Sequence, residues 1–118
     1  LFRSSLYPQK RVLRPSDVSF ASICAKEAAC REAQIHYLKI IEDIETTPEL
    51  LTTLTAYLLD HESSMANTAK ALCCHINTIK YRLNSIRDNT GYSPSKPADV
   101  YPLLIAVAIN RMKNSENE

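Results

Sequence analysis

The sequence predicts an all-α fold, a bundle of helices, and three observations predict it. The chain holds a single glycine, Gly91, whereas sheets need glycine-rich turns. Val and Phe are scarce beside Ala, Leu, Ile and charged residues, which removes the β-branched alternation of strands. Apolar residues also recur at helical spacing, as in Leu50, Leu51, Leu54, Tyr57 and Leu58. With 118 residues there is room for one core and not for two.

The first fifteen residues, LFRSSLYPQKRVLRP, carry Arg3, Lys10, Arg11 and Arg14 and no acid, and Pro8 and Pro15 interrupt any helix. They read as a linker or the edge of a preceding domain. The chain begins at Leu1 and reads as a fragment. Ser16 and Asp17 can open a helix through DVSFASICAKEAA, and REAQIHYLKIIEDIE continues with Tyr37, Ile40, Ile41 and Ile44 on one face. One or two packing helices follow from this.

Thr47 and Pro48 then start a helix as N-cap and first residue, with Glu49 facing the positive end of its dipole. ESSMANTAKALCC is a helix capped by Ser63 or Ser64, with Met65, Ala69 and Leu72 inward. NTIKYRLNSIRDNTG is the next, with Asn77 as cap, Ile79, Leu83 and Ile86 as buried stripe and Gly91 as left-handed terminator. A last helix is expected from about Val100 to Met112, capped by Asp99 with Pro102 in its first turn. It is apolar on most sides and is expected to be buried, to pack between protomers or to lie on another domain.

Composition narrows the functions. A net charge of +1 does not announce a nucleic-acid binder, so any basic patch must come from local distribution. The longest apolar run, PLLIAVAI, is far short of the roughly 20 residues of a membrane span, and no membrane partner is expected. Cys24, Cys30, Cys73 and Cys74 read as thiols of a reducing cytoplasm. Cys73, Cys74 and His75 are metal-ligand types, but three adjacent residues enclose one ion poorly and no distant pair fits, so packing thiols and no cofactor are expected. His36 and His61 are scattered, no catalytic triad, paired carboxylates or Gly-rich loop can be assembled, and an enzyme is not expected.

Two short helices, a turn of about three residues, a small residue in the first and a polar N-terminus on the second make a helix-turn-helix. Opposite Ile79, Leu83 and Ile86 stand Asn77, Tyr81, Asn84 and Asp88, flanked by Lys80, Ser85 and Arg87. Residues 64–87 contain Lys70, Lys80, Arg82 and Arg87 and no acid. Amides and hydroxyls on such a helix meet base edges in a major groove, while cations meet phosphates. Capping alone would also explain Asn77 and Thr78, and Tyr81, Lys80 and Arg87 have the alternative of ordinary surface residues. Arg82 lies toward the buried stripe and suits either a phosphate or a structural salt bridge.

The stretch LLTTLTAYLLDHESSMANTAKALCCHINTIKYRLNSIRDNTGY, with TA, L, H, NT, YRL, I and TG in register, resembles the C-terminal helix-turn-helix domain of the PucR/CdaR family of bacterial transcriptional regulators. The same helices are similar to the Fis-type DNA-binding motif. Two positions depart from the family pattern: Cys73 replaces a large apolar residue and Ile76 an arginine, which removes one phosphate contact and leaves the turn packed by thiols.

The resemblance implies double-stranded DNA as partner, with helix 77–89 in the major groove and His75, Asn77, Thr78, Lys80, Tyr81, Arg82, Asn84 and Arg87 as DNA-binding residues. It also implies a cytoplasmic homodimer whose small-molecule effector binds a missing upstream region. The expected division is 1–46 for linker and packing helices, 47–113 for the DNA-binding domain and 114–118 for a disordered tail. The rival expectation is a helical protein-interaction module that does not bind DNA.

Overall fold

The computed structural model describes residues 6–116, and the described residues form helices and turns with no strand. Helix α1 spans Pro15–Ala29 and α2 spans Arg31–Ile40, with Cys30 as the extended break between them. A 3₁₀ turn, Glu42–Ile44, leads to α3, Pro48–Thr55, which runs on as a π turn over Ala56–Asp60. Then come α4, Met65–Ala71; α5, Ile76–Thr90; and α6, Pro97–Glu116.

Local chemistry accounts for most of the boundaries. Asp17 sits in the first turn of α1, where its carboxylate accepts the Arg14 backbone N–H at 2.9 Å and the Lys10 ammonium at 3.1 Å. Arg14 is therefore the residue before that helix, rather than Ser16. Thr47 precedes α3 and Pro48 opens it, although no side-chain bond forms at this cap. Glu62 and Ser63 take left-handed backbone at φ 48° and 61°, turning the chain tightly into α4. Ser64 caps α4 by accepting the Asn67 N–H at 3.1 Å.

Helix α6 is the centre of the bundle. Leu103, Ile105, Ala106, Val107, Ala108, Ile109 and Met112 are buried along it. The first three helices pack against it, and the π turn closes on it as well. Apart from Tyr101, which is exposed, its apolar surface is thus covered from within the chain, which corrects the expectation that this face joins protomers or another domain. It also starts earlier than the sequence suggests, so Asp99 lies inside the first turn and accepts the Ser93 N–H at 3.0 Å. Pro102 consequently falls within the helix.

Both ends of the described chain are more structured than their composition suggests. Leu6 and Tyr7 are buried in the core although they lie in the stretch read as a linker. Arg111 holds them there: its Nη1 donates to the Leu6 carbonyl at 3.2 Å, and the guanidinium grips Asp60 with two bonds of 2.7 and 2.8 Å. Of the tail expected to be disordered, residues 114–116 continue α6. Residues 1–5, with Arg3, and residues 117–118 lie outside the described residues.

One apolar cluster runs from Leu6 through α1, α3 and α5 to Met112, so residues before and after 46 share a core. Helix α5 rests on α3 and α4, and this seat positions the candidate site.

Candidate nucleic-acid interface

The angle between α4 and α5 is set by a tight C-terminal cap. The Cys74 N–H donates to the Ala69 carbonyl at 3.0 Å and the Cys73 N–H to the Lys70 carbonyl at 3.3 Å, with Cys73 left-handed at φ 55°. This is a Schellman cap with cysteine where glycine is usual. Thr68 and Ala69 are buried, and the Thr68 hydroxyl returns to the Ser64 carbonyl at 2.7 Å, so the face of α4 toward α5 presents small groups. Cys73 is exposed and Cys74 half-buried against the core. One thiol packs the turn, not two.

The cap of helix α5 is His75 rather than Asn77, two residues earlier than expected. The His75 Nδ1 accepts the Asn77 N–H at 3.0 Å. An accepting Nδ1 puts the ring proton on Nε2, a donor on an exposed ring. Asn77 moves to the second helical position and is exposed, relieved of capping. The first turn holds no acid, so the positive end of the dipole is unopposed by its own helix. Gly91 ends the helix at φ 79°.

Ile79, Leu83 and Ile86 are buried, which anchors one face of α5. On the other side Asn77, Lys80, Tyr81, Asn84, Arg87 and Asp88 are exposed. Tyr81 is 73% exposed, far more than an aromatic recruited for packing. Thr78 is half-buried in the first turn. Arg87 Nε meets Asp88 at 3.2 Å in an exposed pair, which costs little to open.

Arg82 points the other way. Its Nη1 donates to the Thr53 hydroxyl of α3 at 3.2 Å, and Thr53 is fully buried. Of the two roles open to Arg82 in the sequence, the structural one has a partner, and that partner is a hydroxyl rather than a carboxylate. Sequence reasoning also missed the turn after α5: Ser93, Pro94 and Ser95 line a groove with Lys80, Asn84 and Arg87. No spacing rule relates those two segments; they meet because Gly91 reverses the chain.

Among the described residues no group of three or more His, Cys, Asp and Glu is placed to hold a metal ion. No described helix is long and apolar enough to cross a membrane.

The family model of the PucR C-terminal helix-turn-helix domain matches residues 50–109, the segment from α3 into α6. An uncharacterized protein of Mycobacterium bovis is 40% identical over 65 residues, which is 55% of this chain and 16% of that protein. Uncharacterized proteins of two Mycobacterium tuberculosis strains match to the same extent. The chain thus corresponds to a small part of the length of these relatives. No solved structure matches it.

Proposed function

The chain belongs to the family of PucR C-terminal helix-turn-helix domains, and from that premise we propose that it binds double-stranded DNA sequence-specifically as part of a bacterial transcriptional regulator. Helix α5 enters the major groove. Asn77, Thr78, Tyr81 and Asn84 read base edges, while Lys80, Arg87 and the Nε2–H of His75 meet phosphates. Arg82 serves the fold by holding α5 to α3.

The observation that carries this reading is the exposed face of α5, uncharged or basic from Asn77 to Arg87 and backed by a buried stripe. Such a face supplies side chains for base edges on a helix that its scaffold holds at a fixed angle.

Residues 47–113 carry the DNA-binding segment, the described part of 1–46 packs on it in the same core, and the whole belongs to a larger cytoplasmic protein whose remaining length senses a small effector. Two copies act as a homodimer about a two-fold axis, placing their α5 helices about one helical turn, 34–36 Å, apart on a near-palindromic site. The surface that joins them is one other than the enclosed apolar face of α6.

Titration of a fluorescent duplex at two salt concentrations tests the proposal. Affinity is expected to fall steeply with salt, and Lys80→Ala to flatten the logarithmic salt slope by about 0.9. Tyr81→Ala is expected to weaken binding to the preferred sequence while leaving salt-sensitive non-specific binding. Absent or salt-insensitive association would reject DNA binding in favour of a protein-docking module.

A further inference from the structure

One flank of α5 is built differently from the other. Lys80, Asn84 and Arg87 recur at helical spacing along it and form one wall of a groove of about 240 Å³. Ser93, Pro94 and Ser95 form the facing wall, and Tyr57, Met65 and Leu83 complete the lining. No acidic residue lines this groove. Asp88 stands next to Arg87, but both side chains are more than half exposed and their pair is easily exchanged.

The facing wall is held in place. The Ser93 N–H is bonded to Asp99 at 3.0 Å, the Ser93 and Ser95 hydroxyls share a bond of 3.1 Å, and the Ser95 N–H donates to the Ser93 hydroxyl at 3.3 Å. Ser93 is buried, whereas Ser95 is exposed at the rim. Lys96 follows it and is exposed as well. Two cations and an amide thus face a pinned pair of hydroxyls across an apolar floor.

Dimensions say what this groove would meet. A helix with its side chains is about 10–12 Å across and the major groove about 12 Å wide, so the flanks of an inserted helix lie against the groove walls, which are phosphates. Tyr81 marks the face toward the base edges, and the stripe from Lys80 to Arg87 lies to its side.

We propose that the groove between α5 and the Ser93–Ser95 turn seats a backbone phosphate of one DNA strand. Lys80 and Arg87 supply the charge, and the Ser95 hydroxyl donates a hydrogen bond to one of its oxygens. The turn after α5 is then part of the DNA-binding surface and fixes how far the helix enters the groove. This rests on the DNA reading above.

Ser95 tests it, because it is exposed and can change charge without disturbing the core. Ser95→Glu is expected to weaken duplex binding about tenfold at low salt through repulsion, and Ser95→Lys to strengthen it and steepen the salt slope by about 0.9. Opposite shifts from the two variants, at equal stability in urea, would establish electrostatic contact; a structural role would move both the same way. Unchanged affinity in both variants, while Tyr81→Ala still loses sequence preference, would overturn the phosphate seat and leave the DNA reading intact. Failure of the unmodified chain to bind any duplex would overturn both.

Discussion

Arg82 gives the sharpest separation of folding from binding. Its guanidinium donates at 3.2 Å to the hydroxyl of Thr53, which is fully buried on α3. A hydrogen bond from a charged donor contributes about 1.5–3 kcal/mol when well enclosed. Arg82 is half-buried, so about 1 kcal/mol is the better figure for the bond, with a further 0.5–1 kcal/mol or so from its packed aliphatic stem. Arg82→Ala is therefore expected to cost about 1.5–2 kcal/mol. Thr53→Val, which keeps the shape and removes the acceptor, should cost about 1 kcal/mol. Because both remove the same bond, the double variant should fall short of the sum by about 1 kcal/mol in urea denaturation, with an unchanged m-value. The salt slope of DNA binding should be unaffected. Strictly additive costs, or a salt slope flatter by about 0.9 in Arg82→Ala, would refute the structural assignment and make Arg82 a phosphate contact.

His75→Ala should destabilise by about 1 kcal/mol through loss of the cap on Asn77, while His75→Asn should keep most of that stability, as thermal unfolding of the two would show. Gly91→Ala should cost about 1 kcal/mol in the same assay from left-handed backbone alone, because a Cβ there meets nothing within 4 Å. Burial, with a smaller push from Glu27, raises the Cys24 thiol to about 12, so alkylation followed by mass spectrometry should find Cys30 and Cys73 labelled in the native protein and Cys24 only after unfolding. The Arg14 backbone N–H, and after it Lys10, hold the Asp17 carboxyl below its ordinary 3.8. Its stabilisation is complete above that value and lost as pH falls through the lower folded one, so Asp17→Asn should flatten the loss of urea midpoint on acidification.

Helix boundaries were legible wherever one residue's chemistry decides them. Pro48 and Gly91 do so, since a ring that lacks an N–H and a residue tolerant of positive φ act without help from distant contacts. The start of α5 was misread for the same reason: Asn is the commoner cap, and nothing nearby shows that Cys73 closes α4 and leaves the capping position to His75. The π turn over Ala56–Asp60 has no local signature; it lies where the chain leaving α3 packs on α6 and α4. The apolar character of α6 correctly implied burial, but composition cannot tell a neighbouring helix from a second chain. Leu6 and Tyr7 looked like linker because of the prolines and arginines around them; Arg111, far along the chain, ties them down.

At the candidate site, helical periodicity correctly placed Tyr81, Lys80 and Asn84 on an exposed face and Ile79, Leu83 and Ile86 beneath them. The acceptor for Arg82 lies 29 residues away, and the Ser93–Ser95 wall meets α5 only after the chain reverses. Neither relation is encoded in spacing. Both arise from packing, which is why the face could be read and its flanks could not.

The most direct test of the central claim is to let the chain select from random-sequence duplexes at two salt concentrations and to sequence what it retains. The account predicts an enriched motif, repeated with inversion about one helical turn apart, that is lost in Tyr81→Ala. Retention without any enriched motif, or none at protein concentrations well above micromolar, would contradict it.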